Sequence, residues 1–518
     1  MASYAALHAV TDEETSRPTS RASNPRHRRT GNPKQSGTGG NASWSSSVIN
    51  LVNTIVGAGV LAMPHAMSNM GITLGVLVIL WSGLTSGFGL YLQTRCARYL
   101  DRGSASFFAL SQITYPNAAV LFDAAIAIKC FGVGVSYLII IGDLMPGVVL
   151  GFARDGGGNE FLLDRRFWIT AFMLIVIPLS FLRRLDSLKY TSIIALVSIA
   201  YLVVLVVYHF GSGDTLADRG EIHWLKWQGI VPTLGSFPVI VFAYTCHQNM
   251  FSILNEIKDN SPFRTTSVVF ASNGISSSIY VLVAVTGYLS FGDAVIGNIV
   301  GQYRPSIFST IGRAAIVIMV MFSYPLQVHP CRASVDAVSK WRPASKSNQE
   351  LTPASGSPSR SSLLGRKVPI RPKTEDMSDL RFAIITTVII ILSYIVAMTV
   401  SSLEKVLAYV GSTGSTSISF ILPGLFYYKI SSPDSPHHQR LLKDEDDNDE
   451  HTSGSESDDA SVSSRGAGGS WRESWAQKVR GRRWRGDMLR RLSLALAFYG
   501  LTVMVVCLVL NTFFIVAH

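Results

Sequence analysis

Trp44–Ala66 runs WSSSVINLVNTIVGAGVLAMPHA, apolar enough to enter a bilayer yet interrupted at its middle by Gly57-Ala58-Gly59. Inside lipid an unpaired N–H or C=O costs several kcal/mol, so non-helical backbone survives only where protein, water or a bound molecule supplies the missing partners. Gly57 and Gly59 free the backbone, and Pro64 denies the second half its normal bond to the preceding turn. A membrane helix broken at mid-depth in this way lines a binding site; packing of small residues against a neighbouring helix is the competing explanation of the glycines.

Working outward, 518 residues with 48% hydrophobic and 15% charged content and a mean hydropathy of +0.29 describe an all-α polytopic membrane protein. Apolar runs near the ~20 residues needed to cross ~30 Å of hydrocarbon occur at 44–68, 71–95, 119–150, 167–182, 188–208, 230–255, 266–291, 306–331, 381–402, 405–428 and 489–517. The expectation is eleven transmembrane helices. Lys and Arg stay on the cytoplasmic side far more readily than they cross. With the N terminus inside, 36 of the 45 Lys and Arg are cytoplasmic. That orientation places His518 on the lumenal or extracellular side, and it makes the +11 net charge a matter of topology rather than of nucleic-acid binding. The basic stretch Arg480–Arg491 is placed to meet anionic headgroups.

Cys96, Cys130, Cys246, Cys331 and Cys507 fall in spans or at their cytoplasmic ends, which argues against a structural disulfide. The first 43 residues are polar and basic without an apolar h-region, so the first span is expected to direct insertion itself. Lys340–Asp379 and Ser431–Gly486 have the Ser-rich, apolar-poor composition of disorder. All three polar segments are expected in the cytosol, open to kinases and sorting adaptors.

The spans group as five, five and one. Five is odd, so the second group begins on the face opposite to the first, the topology of an inverted repeat. The expected organisation is a tail at 1–43, a first five-helix repeat at 44–209, a lumenal loop at 210–229 and a second repeat at 230–428 interrupted by the disordered loop 340–379. A disordered cytosolic loop at 429–487 and the eleventh helix at 488–518 follow. Such an arrangement asks for a second interrupted helix at the sixth span. There, Tyr244–Asn249 (YTCHQN) is a polar cluster in an apolar span, expensive unless it lines a cavity. It has no glycine, and a continuous helix kinked at Pro238 is the alternative.

Asn50–Pro64 (NLVNTIVGAGVLAMP) resembles the first-helix signature of the amino acid/auxin permease family. Phe242–Asn249 (FAYTCHQN) with Glu256, Tyr137–Pro146 (YLIIIGDLMP) and Tyr324–Arg332 (YPLQVHPCR) are similar to fungal vacuolar amino acid transporters and to their sodium-coupled neutral amino acid relatives. The resemblance covers the eleven spans and implies a LeuT-like fold, a 5+5 inverted repeat plus one extra helix, that moves amino acids by alternating access.

On that reading, N–H groups at Gly57, Ala58 and Gly59 receive the substrate carboxylate at the positive end of a half-helix, and carbonyls near Tyr244–Cys246 receive its ammonium. Asn53, Thr54, Tyr244, Thr245, His247 and Gln248 are the expected pocket side chains. For coupling, the resemblance implies that in sodium-coupled relatives an asparagine matching Asn53 and a hydroxyl in the eighth span help hold the ion; Ser323 is the nearest hydroxyl here, which keeps sodium open as the coupling ion. His247 is the natural proton carrier, since imidazole titrates between a neutral cytosol and an acidic lumen. Lys129 and Asp143 share a face of the third span but lie ~21 Å apart at 1.5 Å per residue, so each needs another partner. Arg313 and Asp123 are expected to reach an interface.

No catalytic dyad, nucleophile motif or metal-ligand cluster stands in the spans, so the chain is not expected to be an enzyme. No cofactor is implied beyond a coupling ion, H+ or Na+. The expected function is proton-coupled export of amino acids from an acidic vacuole to the cytosol, organelle and direction resting on the resemblance. A plasma-membrane importer driven by protons or sodium, or an amino acid sensor signalling through the cytosolic loops, are the alternatives. No carboxylate lies near either break, which favours neutral or acidic substrates.

Overall fold

α1 (Trp44–Ile55) begins where the Ser43 hydroxyl accepts from the Ser46 N–H, and ends at Val56, whose backbone is extended at φ −81° and ψ 99°. Gly57 follows, Ala58–Ala62 form a 3-10 turn, and α2 (Met63–Ser68) resumes with Pro64 in its first turn, where a missing N–H costs nothing. The two halves are bent by 48°. The first span is therefore broken where the glycines stand. The computed structural model describes residues 40–152, 160–182, 189–225, 227–340, 377–441, 443 and 468–515. Residues 1–39 of the expected tail 1–43, residues 341–376 of the expected loop 340–379, and residues 442 and 444–467 of the expected loop 429–487 lie outside them.

Five further helices complete the first half: α3 (Ile72–Ala97), α4 (Phe107–Thr114), α5 (Ala119–Phe152), α6 (Arg165–Ser180) and α7 (Lys189–Ser212). The second half contains α8 (Ile230–Ala243), α9 (His247–Glu256), α10 (Pro262–Phe291), the single turn α11 (Ile299–Gln302) and α12 (Ile307–Lys340). It continues with α13 (Asp379–Thr399), α14 (Leu403–Val410) and α15 (Leu422–Ile430), and α16 (Gly468–Leu510) follows. Among the described residues the only β pairing is an isolated bridge between Ala42 and Ile257.

Eight helices are long and apolar enough to cross a membrane, and the bent pair α1 and α2 makes nine. Eleven is thus not reached by length and apolarity among the described residues. α6 has 16 residues. The tenth expected span is divided into α14, two π-helical segments at Gly411–Ser415 and Ser417–Ile421, and α15. The last helix starts at Gly468 rather than at 488 or 489. Its added turns carry five Arg, good helix formers that a hydropathy reading passes over.

α5 and α12, 34 residues each, pack along one another at the centre. Of the apolar window of α5, 78% is buried, against 33% for α13 and 28% for α16, so α5 is an inner helix and the other two are peripheral. Leu77, Leu80 and Leu84 on α3 and Leu174 on α6 are exposed, apolar surface suited to acyl chains rather than water.

Candidate binding cavity at the two helix breaks

The second break forms without glycine. α8 ends at Ala243, residues 244–246 are non-helical, and α9 starts at His247, inside what is otherwise one 27-residue span. Partners distant in sequence take up the freed carbonyls. The Ser86 hydroxyl donates to the Tyr244 carbonyl (3.2 Å), the Tyr280 hydroxyl reaches that of Ala243 (2.8 Å), and the Thr245 hydroxyl turns back to Val241 (2.8 Å). Of the carbonyls expected to receive an ammonium, that of Tyr244 is thus already engaged by Ser86, and the neighbouring Ala243 carbonyl shares the Tyr280 hydroxyl with Ile55.

Between the breaks lies a cavity of about 500 Å3. Of the expected site residues, Asn53, Thr54, Gly57, Ala58, Gly59, Thr245, Gln248, Lys129 and Ser323 line it, drawn from the first span, α5, the second break, α9 and α12. Gly57 starts the 3-10 turn with no side chain capping it, which leaves the first N–H groups of the turn without a side-chain acceptor beside the cavity. Ser323 donates to the Met319 carbonyl (2.7 Å) and keeps its lone pairs free to accept. Lys129 is buried on the wall and enters none of the salt bridges among the described residues.

Tyr244, Cys246, His247 and Asp143 do not line it. Tyr244 donates to Ser277 Oγ (2.9 Å) and packs edge-on against Tyr280. Cys246 is buried and, like the other four cysteines, free. Asp143 is paired with Arg165 at 3.0 Å. His247 has no exposed surface: Nε2 lies 3.2 Å from the Ser86 carbonyl and Nδ1 3.1 Å from Ser419 Oγ. A carbonyl only accepts, so Nε2 carries the proton of the neutral ring and Nδ1 accepts from Ser419. His247 therefore ties α9 to α3 and to the π-helical segment Ser417–Ile421.

The sequence reading did not name Ser252, gave Asn249 only as the end of the polar cluster Tyr244–Asn249, and used Tyr137, Gln327, His329 and Glu256 only for resemblance; all of them line the cavity. Gln327 stands four residues after Ser323, one helical turn, a spacing that was available as a signal. Asn53 Oδ1, Gln248 Oε1 and Gln327 Oε1 are buried cavity-lining acceptors without a partner. Ser252, Glu256, Asn249 and His329 are exposed, so the cavity opens at the end of the molecule where Ala42 pairs with Ile257.

The opposite end is closed. There α11 packs on α5, α12 and the 3-10 turn of the first break, held by Arg313. Contrary to expectation Arg313 does not reach an interface: it is 3% exposed and donates to the carbonyls of Gly147, Val300, Gly301 and Tyr303. Four acceptors inside the protein replace the water that snorkelling would have sought.

Residues 40–445 match the family model described as transmembrane amino acid transporter protein. Vacuolar amino acid transporter 5 of Schizosaccharomyces pombe is 45% identical over 400 residues, covering 76% of this chain and 87% of that protein. Vacuolar amino acid transporter 6 of Saccharomyces cerevisiae is 42% identical over 408 residues, covering 75% and 90%. Among solved structures, MhsT in complex with L-phenylalanine superposes with a TM-score of 0.52 at 11% identity, over 90% of this chain and 100% of that one. The inward-facing conformation of Mhp1 gives 0.52 at 11% identity, over 92% and 91%. The fold is LeuT-like.

Proposed function

Because the chain belongs to the transmembrane amino acid transporter family, a family of transporters and not of enzymes, we propose that it is a secondary active transporter exporting amino acids from an acidic, vacuole-like lumen to the cytosol, coupled to protons. The observation that carries this reading is the cavity of about 500 Å3 bounded by both helix breaks. A zwitterion fits its chemistry. The substrate carboxylate meets the N–H groups that open the 3-10 turn at Gly57–Gly59. Its ammonium meets the unpartnered amide oxygens of Asn53, Gln248 and Gln327 in place of the Tyr244 carbonyl, which Ser86 already engages.

Lys129, Asn53 and Ser323 are the coupling candidates that face the cavity. Of these only Lys129 exchanges a proton, and we assign it that role in preference to His247 and Asp143, which face elsewhere. With the N terminus cytosolic, the cavity mouth beside Ala42 opens to the cytosol, and alternating access requires the Arg313 end to open in turn. The chain's similarity to vacuolar amino acid transporters of two yeasts supports the vacuole.

The test is flux of labelled amino acids in proteoliposomes with pH and sodium gradients imposed separately. Uptake driven by a pH gradient alone supports the reading. Flux driven only by sodium overturns the proton coupling, and saturable binding without flux overturns transport.

A further inference from the structure

Tyr280 on α10 has no exposed surface, and its hydroxyl lies 2.7 Å from the Ile55 carbonyl and 2.8 Å from the Ala243 carbonyl. Ile55 is the last residue of α1 and Ala243 the last of α8. One phenol therefore touches the C-terminal ends of both half-helices that meet at the cavity. Carbonyls at a helix end lack intrahelical donors and carry the negative pole of the helix dipole. Among the described hydrogen bonds neither carbonyl has another donor.

A phenol has one proton. It donates to one carbonyl at a time, and the other is left in reach without a donor. The ring does not depend on these bonds for its place: Tyr244 packs against it edge-on, with centroids 5.0 Å apart, and is itself tied to Ser277, one turn earlier on α10. The hydroxyl is thus a post held between the two helix ends.

We propose that Tyr280 is a positioning residue that ties α1 and α8 together while the cavity is open, its hydroxyl rotating between Ile55 O and Ala243 O as α1 swings against α8. The inference rests on the alternating-access reading above. A single shared proton lets either half-helix leave while the other keeps a full hydrogen bond; two donors would hold both ends, and none would hold neither. The number of donors at this post sets the balance between the open and closed cavity.

The test is a series at position 280 in the purified full-length chain: Tyr280→Phe with no donor, the native phenol with one, and 4-aminophenylalanine with two on the same ring. The readout is the labelling rate of Ala195→Cys, on the cavity wall, by an impermeant maleimide, the native cysteines being buried. The open-to-closed ratio read from labelling is expected to fall about fivefold with Phe and to rise with the amine, the change that one net hydrogen bond of about 1 kcal/mol produces. Equal labelling across the series, or a fall in both variants together, overturns the proposal. Should Tyr280→Phe fail to fold, the amine variant decides alone: a rise supports the tie, and an unchanged or lower rate removes it. Labelling needs no flux, so wild-type protein without flux would sink the transport reading separately.

Discussion

Gly59 of the first break and Ala243 of the second are in direct contact: a methyl built on Gly59 would lie 2.5 Å from the Ala243 Cβ and 2.8 Å from its Cα. The two interruptions touch because one of them has no side chain. Gly59→Ala is expected to push α8 from the first span and to cost about 1–3 kcal/mol of overpacking, seen as a lowered melting temperature together with lost uptake. Gly57 has nothing within 4 Å of such a methyl, so Gly57→Ala should melt like the parent. Equal melting of the two variants would show that the contact is unimportant.

His247→Ala removes a ring that joins the Ser86 carbonyl to Ser419. Ser419 keeps the Thr245 hydroxyl at 3.1 Å, so the cost is that of the hydrogen bonds lost, about 0.5–1.5 kcal/mol each. Stability, gradient-driven uptake and counterflow should all decline together, with the pH dependence of the remaining flux unchanged. Selective loss of pH-driven uptake with intact counterflow would return the proton to His247.

Lys129→Met keeps the length and apolar stem of the side chain and deletes the ionisable group on the cavity wall. Net uptake driven by a pH gradient should fall by an order of magnitude or more, about the loss of one charge-assisted interaction, while amino acid counterflow persists. Retained pH-driven uptake in proteoliposomes would remove Lys129 from coupling.

These three residues also mark how far the sequence could be read. Gly57-Ala58-Gly59 and Pro64 declare a break in the chain's own backbone chemistry, and the structure breaks there. The break at Tyr244–Cys246 has no such signature: Ser86 and Tyr280, far away in sequence, receive its carbonyls. The facing of side chains was illegible for the same reason. His247 and Gln248 are neighbours about 100° apart on α9, and only packing against α3 and the π-helical segment decides that Gln248 faces the cavity and His247 does not. Asp143 and Lys129 share a face of α5, yet Arg165 claims the first and the cavity the second.

Arg313 supplies the last test, at the closed end. Its guanidinium gathers the carbonyls of Val300, Gly301 and Tyr303, at and just beyond the end of α11, with that of Gly147 on α5. A cation at a helix C-terminus also answers the dipole, although in a single turn the local carbonyls matter more than any macrodipole. A planar fork reaches several carbonyls at once, and an ammonium does not. Arg313→Lys should therefore lose about 1–3 kcal/mol of stability despite conserving charge, and Arg313→Leu more, because it leaves buried acceptors with no donor. Both should loosen α11 and expose the 3-10 turn behind it, read as faster hydrogen exchange at Ile299–Gln302. If Arg313→Lys melts and exchanges like the parent, the charge alone secures the closed end and the fork has no part in it.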